Sequence, residues 1–285
     1  VLNLARSLLV DGLQLPKDQR NWESLKKVLT ILKTIPESVA DVAILEAELL
    51  AGTERQVDAE KRLEEALGKT PDNQSLWLAL IALQMRTQDW AAAEQTLVEA
   101  QAALGDLVAL RLERARLLLQ RDGLNVDREQ LEEIASPNTS WPPAEQAQLA
   151  AGVASYFLSL DELDLSEKYA RRAAETAVGQ KSLGIQLLLF DLAFRSRKLE
   201  MMQKTLEDVR RIEGDGPLWR VGEATRLSVL AEELTDQPLE RQPLISKAFE
   251  NLAEAAVARP AWARIPRLRG EIYDRQGDME QAAKW

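Results

Sequence analysis

The chain contains no cysteine and no histidine. Without cysteine there are no disulfides, thiol nucleophiles or thiolate metal sites. Without histidine the commonest general base at neutral pH and the commonest metal ligand are missing. Sustained alternation of polar and apolar residues is absent as well, so no sheet is expected. Long apolar runs are scarce. The longest uncharged run, QAQLAAGVASYFLSL from Gln146 to Leu160, has 15 residues, two kinds of them polar, and is too short to span a bilayer. Neither GxxxxGK[ST] nor GxGxxG occurs, and GDG at Gly214 to Gly216 reads as a loop. Any chemistry would fall to carboxylates or lysines. The 46 Asp and Glu are spread over helix faces at i, i+3 and i+4 spacing, which is ordinary surface patterning. The expectation is therefore no catalytic residue, no metal, no cofactor and no enzyme activity.

What is present suits a folded chain with a sizeable core: 46% hydrophobic and 29% charged residues over 285 positions. The net charge of −10 argues against nucleic acid or an anionic membrane surface as partner, since both demand a basic face. No signal peptide is visible and the first residue is Val, so the segment reads as a piece of a longer protein, from the cytoplasm or a periplasm-like compartment.

A repeat organises the chain. Taking Ala282 of GDMEQAAKW as an anchor, Leu25, Ala59, Ala93, Asp127, Ser166, Met202 and Ala248 fall in the same column, at intervals of 34, 34, 34, 39, 36, 46 and 34. The longer intervals read as loop insertions, the largest at LTDQPLERQPL, Leu234 to Leu244. Four residues on come Leu29, Leu63, Leu97, Leu131, Ala170, Leu206 and Leu252; seven on come Leu32, Ala66, Ala100, Ile134, Ala173, Val209 and Ala255. Offsets of 0, 4 and 7 trace one face of a helix. Twelve residues before the anchor runs a second, mostly small column: Leu13, Ala47, Ile81, Ala115, Ala154, Phe190 and Gly270. Small residues let two helix backbones approach closely. Each repeat is thus two antiparallel helices. Asp89 and Asp278 are placed to cap the second, and Gly277 eases the turn before it. Pro71 and Pro260 mark handovers. The first helix of pair seven is best placed at Trp219 to Glu233.

The 34-residue period, with Trp77, Leu80, Ile81, Trp90, Ala93, Leu97 and Ala100 in pair three and Gly270, Tyr273, Gly277, Asp278 and Ala282 in pair eight, resembles the tetratricopeptide repeat family. The resemblance covers nearly the whole chain and departs at Asp127 and in pair seven. It implies an all-α, right-handed superhelical solenoid of about eight helix pairs, at roughly 1–37, 38–71, 72–105, 106–141, 142–179, 180–215, 216–260 and 261–285, the last one partial. The bulky residue due after Ala282 would be the next beyond the end, so Ala283 and Trp285 are expected to lack a packing partner.

The resemblance also implies a peptide or protein partner in a concave groove lined by the first helices. The family's groove positions fall on Ser75, Leu78, Ala82, Met85 and Arg86 in pair three, and on Ala109, Leu112, Arg116, Leu119 and Gln120 in pair four. In pair five they are Gln148, Ala151, Ser155, Leu158 and Ser159; in pair six, Gly184, Leu187, Asp191, Phe194 and Arg195. Of these, Met85, Arg86, Arg116, Gln120, Ser155, Asp191, Phe194 and Arg195 are the candidate contacts, the arginines for carboxylate or phosphate. The Lys and Asn with which one branch of the family clamps a C-terminal carboxylate are absent from these positions. Arg264, Arg267 and Arg275, in the most basic segment, are a candidate patch for an acidic partner, set against ordinary solvated arginines. Trp22, Trp77 and Trp90 are expected in the core, and Trp141 as a partly exposed cover. The other reading of the whole is a structural spacer, or an array that self-associates through its ends, within a larger bacterial-looking protein.

Overall fold

The computed structural model describes every residue but Thr235, with Glu37 described by its backbone alone. Contacts divide the chain into two compact units, Val1–Ser136 and Pro137–Trp285. All regular structure among the described residues is helical. The first unit holds α1 (Leu2–Gln14), α2 (Glu23–Leu32), α3 (Val39–Gly52), α4 (Gln56–Leu67), α5 (Gln74–Arg86), α6 (Trp90–Leu104), α7 (Val108–Asp122) and α8 (Arg128–Ile134). The second holds α9 (Pro143–Ser159), α10 (Leu163–Ala174), α11 (Leu183–Arg195), α12 (Leu199–Glu213), α13 (Pro217–Glu233), α14 (Pro238–Ala258), α15 (Arg264–Arg275) and α16 (Met279–Ala282). Consecutive helices form the expected pairs, and each unit is a stack of four.

The turn inside the pairs is one device used five times. Five residues before the anchor, Glu54, Gln88, Asp161, Arg197 and Gly277 all have positive φ, between 52° and 77°. The next amide then reaches back along the first helix: Arg55 to Leu50, Asp89 to Gln84, Glu162 to Phe157, Lys198 to Ala193 and Asp278 to Tyr273, at 2.8–3.0 Å. This satisfies a carbonyl that the helix end would otherwise leave bare. Only pair eight spends a glycine there. Asp89 and Asp278 then cap the second helix, accepting from the amides of Ala92 and Gln281.

The packing columns are buried. At offsets 4 and 7 every residue from Leu29 to Ala255 is at most 9% exposed. Each leucine there contributes roughly 1.5–3 kcal/mol. Ser166 sits at 0% in the anchor column and donates to the Ala154 carbonyl at 2.7 Å, which explains a hydroxyl in a dry position.

The departure expected at Asp127 is present: the residue is exposed and caps α8, which begins only after it and runs just seven residues. Other expectations are corrected. The long interval of pair seven is not a loop: α14 begins at Pro238 and absorbs most of it, with Pro243 inside the helix. Proline is tolerated because it lies in the first turns, where the preceding Leu239 is 90% exposed. Thr235, in the same stretch, lies outside the described residues. Pro71 and Pro260 precede α5 and α15 by several residues rather than opening them; the Pro71 carbonyl instead accepts from the Trp77 indole at 2.7 Å. Trp285 does have a partner, because Arg269 stacks over its ring at 4.8 Å and Gly270 leaves room for it. Trp77 and Trp141 are both buried, whereas Trp22 and Trp90 are half-buried at the edge of the core.

Candidate functional site

The first helices α1, α3, α5 and α7 lie side by side in the first unit, each touching the next. Their outward face carries the expected groove positions. On α5 and α7, Leu78, Ala82, Ala109, Leu112 and Leu119 are half-buried, and Ile44 on α3 continues the strip. Ser75, Arg86 and Gln120 stand exposed at its margins. Met85 does not take part: it is 3% exposed and packs in the core, although Leu119 and Phe194 at the same repeat position are half-buried. In the second unit Leu187, Asp191 and Phe194 on α11 are half-buried and Arg195 is exposed. On α9 Ser155 is exposed and donates its hydroxyl to the Ala151 carbonyl at 3.0 Å.

The arginines of this face are not waiting for a ligand. Arg86 pairs with Glu48 on α3 at 3.0 Å, Arg116 with Glu113 at 2.6 Å and Arg195 with Asp191 at 2.9 Å. Burial pushes the Glu113 carboxyl above its ordinary value despite the Arg116 charge. What remains is a charge-balanced strip with an apolar middle. Glu48, Ile44 and Glu113 were not singled out from the sequence. The first two occupy the same columns as Arg116 and Leu112, one or two periods earlier, and that register was the available signal.

The basic segment resolves into different roles. Arg275 is not available for a partner: it pairs with Glu232 at 2.9 Å and donates to the Ser228 hydroxyl at 3.0 Å. Glu232 also holds Arg197. Arg267 is highly exposed and bound only to Glu271 one turn on, and Arg264 is exposed.

Two clefts open on the other side of the first unit. The larger, about 590 Å³, has α7 as its floor and α6 and α8 as walls; Leu97, Val98, Leu110, Leu118 and Ile134 give it apolar surface. Around a helix of 100° per residue, Leu110, Arg114 and Leu118 face away from Leu112, Arg116 and Leu119, so cleft and groove lie on opposite sides of α7. The smaller, about 370 Å³, is lined by α2, α3 and α4. Its centre is closed by Glu46, which takes Lys33 at 2.5 Å and Arg62 at 2.6 Å. Burial opposes the Glu46 charge, but hydrogen bonds and charge from those two cations outweigh it and hold the carboxyl below its usual value. Among the described residues no acidic cluster fit for a metal ion occurs, and no helix is long and apolar enough to cross a membrane.

Paired helices stacked in register, five of the pairs closed by the same left-handed turn, define a helical-repeat solenoid. Residues 54–112 match the tetratricopeptide repeat family. The fold of the chain is of the same kind: a tetratricopeptide repeat protein from Parabacteroides merdae superposes with a TM-score of 0.53 at 16% identity, over 87% of this chain and 90% of that one. The PilF protein of Pseudomonas aeruginosa aligns over 82% of this chain and 98% of its own, at 12% identity and a TM-score of 0.49. No curated protein matches the sequence.

Proposed function

We propose that the chain is a non-catalytic interaction scaffold that holds a peptide or protein partner along the exposed face of its first helices. The observation that carries this reading is the strip on α3, α5 and α7. Ile44, Leu78, Ala82, Leu112 and Leu119 leave apolar surface half open to water at repeating positions, edged by ion pairs already closed within the chain. Such a surface gains by apolar burial and shape. A partner with apolar anchors fits it better than one held by an acidic tail.

The test is a photo-reactive amino acid at Leu78 or Leu112, compared with one at exposed Lys61 on α4. Adducts with one discrete partner from Leu78 and Leu112, and none from Lys61, are expected. Equal adducts from all three positions would refute the groove. Self-association is the second reading, favoured by α1 and the residue that follows it, where Leu4, Val10 and Leu15 are 44–54% exposed. Leu83, Leu117, Leu192 and Ile272 hold the repeat position of Leu15 and are buried. A sedimentation coefficient that rises with concentration, and stops rising in Leu4→Glu, would favour it.

A further inference from the structure

The three junctions between neighbouring pairs of the first unit can be compared position by position. Each is closed, or left open, by the residue eight after one anchor and by the residues thirteen before and three after the next. At the first junction these are Lys33, Glu46 and Arg62, an acid between two cations, joined by two ion pairs. At the second they are Leu67, Leu80 and Thr96, all at most 6% exposed. At the third they are Gln101, Arg114 and Gln130, which line the 590 Å³ cleft. Here the central charge is inverted and its flanking counterions are replaced by amides. Arg114 is exposed and makes no ion pair among the described residues. Arg111, the other cation in the cleft, is consumed by Asp106 and by the carbonyls of Ile134 and Ser136. Of the three acids that line the cleft, Asp106 holds Arg111, Glu94 lies within 3.5 Å of Arg121, and Glu133 stands exposed on the α8 wall.

We propose that the cleft between α6, α7 and α8 is a second binding site, which takes an extended partner segment carrying one carboxylate between apolar side chains. Arg114 is the counterion for that carboxylate. Gln101 supplies an amide donor on one side and Gln130, whose amide already gives one hydrogen to Asp127 at 3.1 Å, offers its second on the other, in the places where Lys33 and Arg62 grip Glu46 at the first junction. Val98, 58% exposed, takes the apolar neighbours, with Leu97, Leu110 and Leu118, each at most 6% exposed, closing the wall behind it. From Leu107 to Leu118 the floor is about 16 Å long, enough for roughly five extended residues. The ligand thus completes in the third junction the acid–cation contact that the chain supplies for itself in the first. This site lies on the opposite face of α7 from the groove and is independent of it.

Capped pentapeptides ALELA, ALQLA and ALKLA, titrated into the labelled protein and followed by NMR, test it. ALELA is expected to shift the side-chain amides of Gln101 and Gln130, and ALQLA to bind about tenfold more weakly for want of the charge-assisted bond. Arg114→Glu should reverse the order in favour of ALKLA, and Leu78→Glu on the groove face should change neither. The triple variant Gln101→Lys, Arg114→Glu, Gln130→Arg rebuilds the closed triad of the first junction and should abolish ALELA binding. Melting curves guard the comparison: Arg114 is exposed, so its variants should melt as the parent does. Equal shifts from ALELA and ALQLA, shifts confined to the Leu78 and Leu112 face, or no shifts at all would overturn the proposal. Hexanoate binding as tightly as ALELA would overturn the assignment of the ligand as a polypeptide segment.

Discussion

Gln88→Gly should stabilise the protein, although glycine within a helix is destabilising. Gln88 holds φ of +62° in the turn between α5 and α6 and its side chain is exposed, so nothing is lost with it. A side chain in the left-handed region costs about 1–2 kcal/mol. Against that, glycine loses roughly 0.4–1 kcal/mol more chain entropy on folding. The balance is a gain of about 0.5–1 kcal/mol, and a midpoint shift of about 1–2 °C for a chain of this size. Urea unfolding followed by circular dichroism reads it as a higher midpoint at unchanged slope. Two controls make the sign diagnostic. Gln88→Ala keeps the Cβ and the strain and should change stability by less than about 0.5 kcal/mol. Lys61→Gly, at an equally exposed position inside α4, should lose about 1 kcal/mol. If Gln88→Gly destabilises like Lys61→Gly, the shared left-handed turn is wrong.

Leu63→Ala, at a 1% exposed position of the second column, should cost about 2–5 kcal/mol in the same assay. Two of the perturbed glutamates, Glu46 and Glu113, should respond to pH with opposite sign. Glu46 has a lowered folded pKa, so its contribution is present above its ordinary 4.5 and lost as pH falls; Glu46→Gln should flatten the acid limb of stability against pH. Glu113 has a raised folded pKa, so its contribution is present below 4.5 and lost as pH rises through the folded value; Glu113→Gln should remove a decline on that side instead. Arg275→Ala, which releases Glu232 and Ser228, should cost about 1 kcal/mol, whereas Arg264→Glu should stay within about 0.5 kcal/mol by thermal melt.

Helix pairing was legible because the packing columns are local. Offsets of 0, 4 and 7 put Ala59, Leu63 and Ala66 on one face whatever else the chain does, and all three are buried. Caps were legible for the same reason, since Asp89 and Asp278 act within three residues of themselves. The left-handed turn was visible only where glycine marks it, at Gly277. At Glu54, Gln88, Asp161 and Arg197 the Schellman geometry imposes the conformation on residues that do not advertise it. Pair seven misled because extra length says nothing about where it is spent, and two prolines read as a loop. Pro238 is the first residue of α14, where a missing amide matters least, and Pro243 gives up one bond, to the carbonyl of Leu239, a residue 90% exposed.

Charge was the least legible property, because a side chain's partner is set by the stack rather than by the helix that carries it. Arg86 read alone is a free groove cation; its Glu48 lies 38 residues away, one helix over. Lys33, Glu46 and Arg62 come from three different helices and meet only at a junction. Yet the repeat itself supplies the translation. Once one junction shows which three columns converge, the same offsets locate Leu67, Leu80 and Thr96, and then Gln101, Arg114 and Gln130, without further geometry. Two of those three fillings satisfy themselves, by ion pairs or by burial. The third leaves a cation over an apolar floor, and the contrast with its own neighbours in the stack marks it as a place for a ligand rather than as ordinary surface.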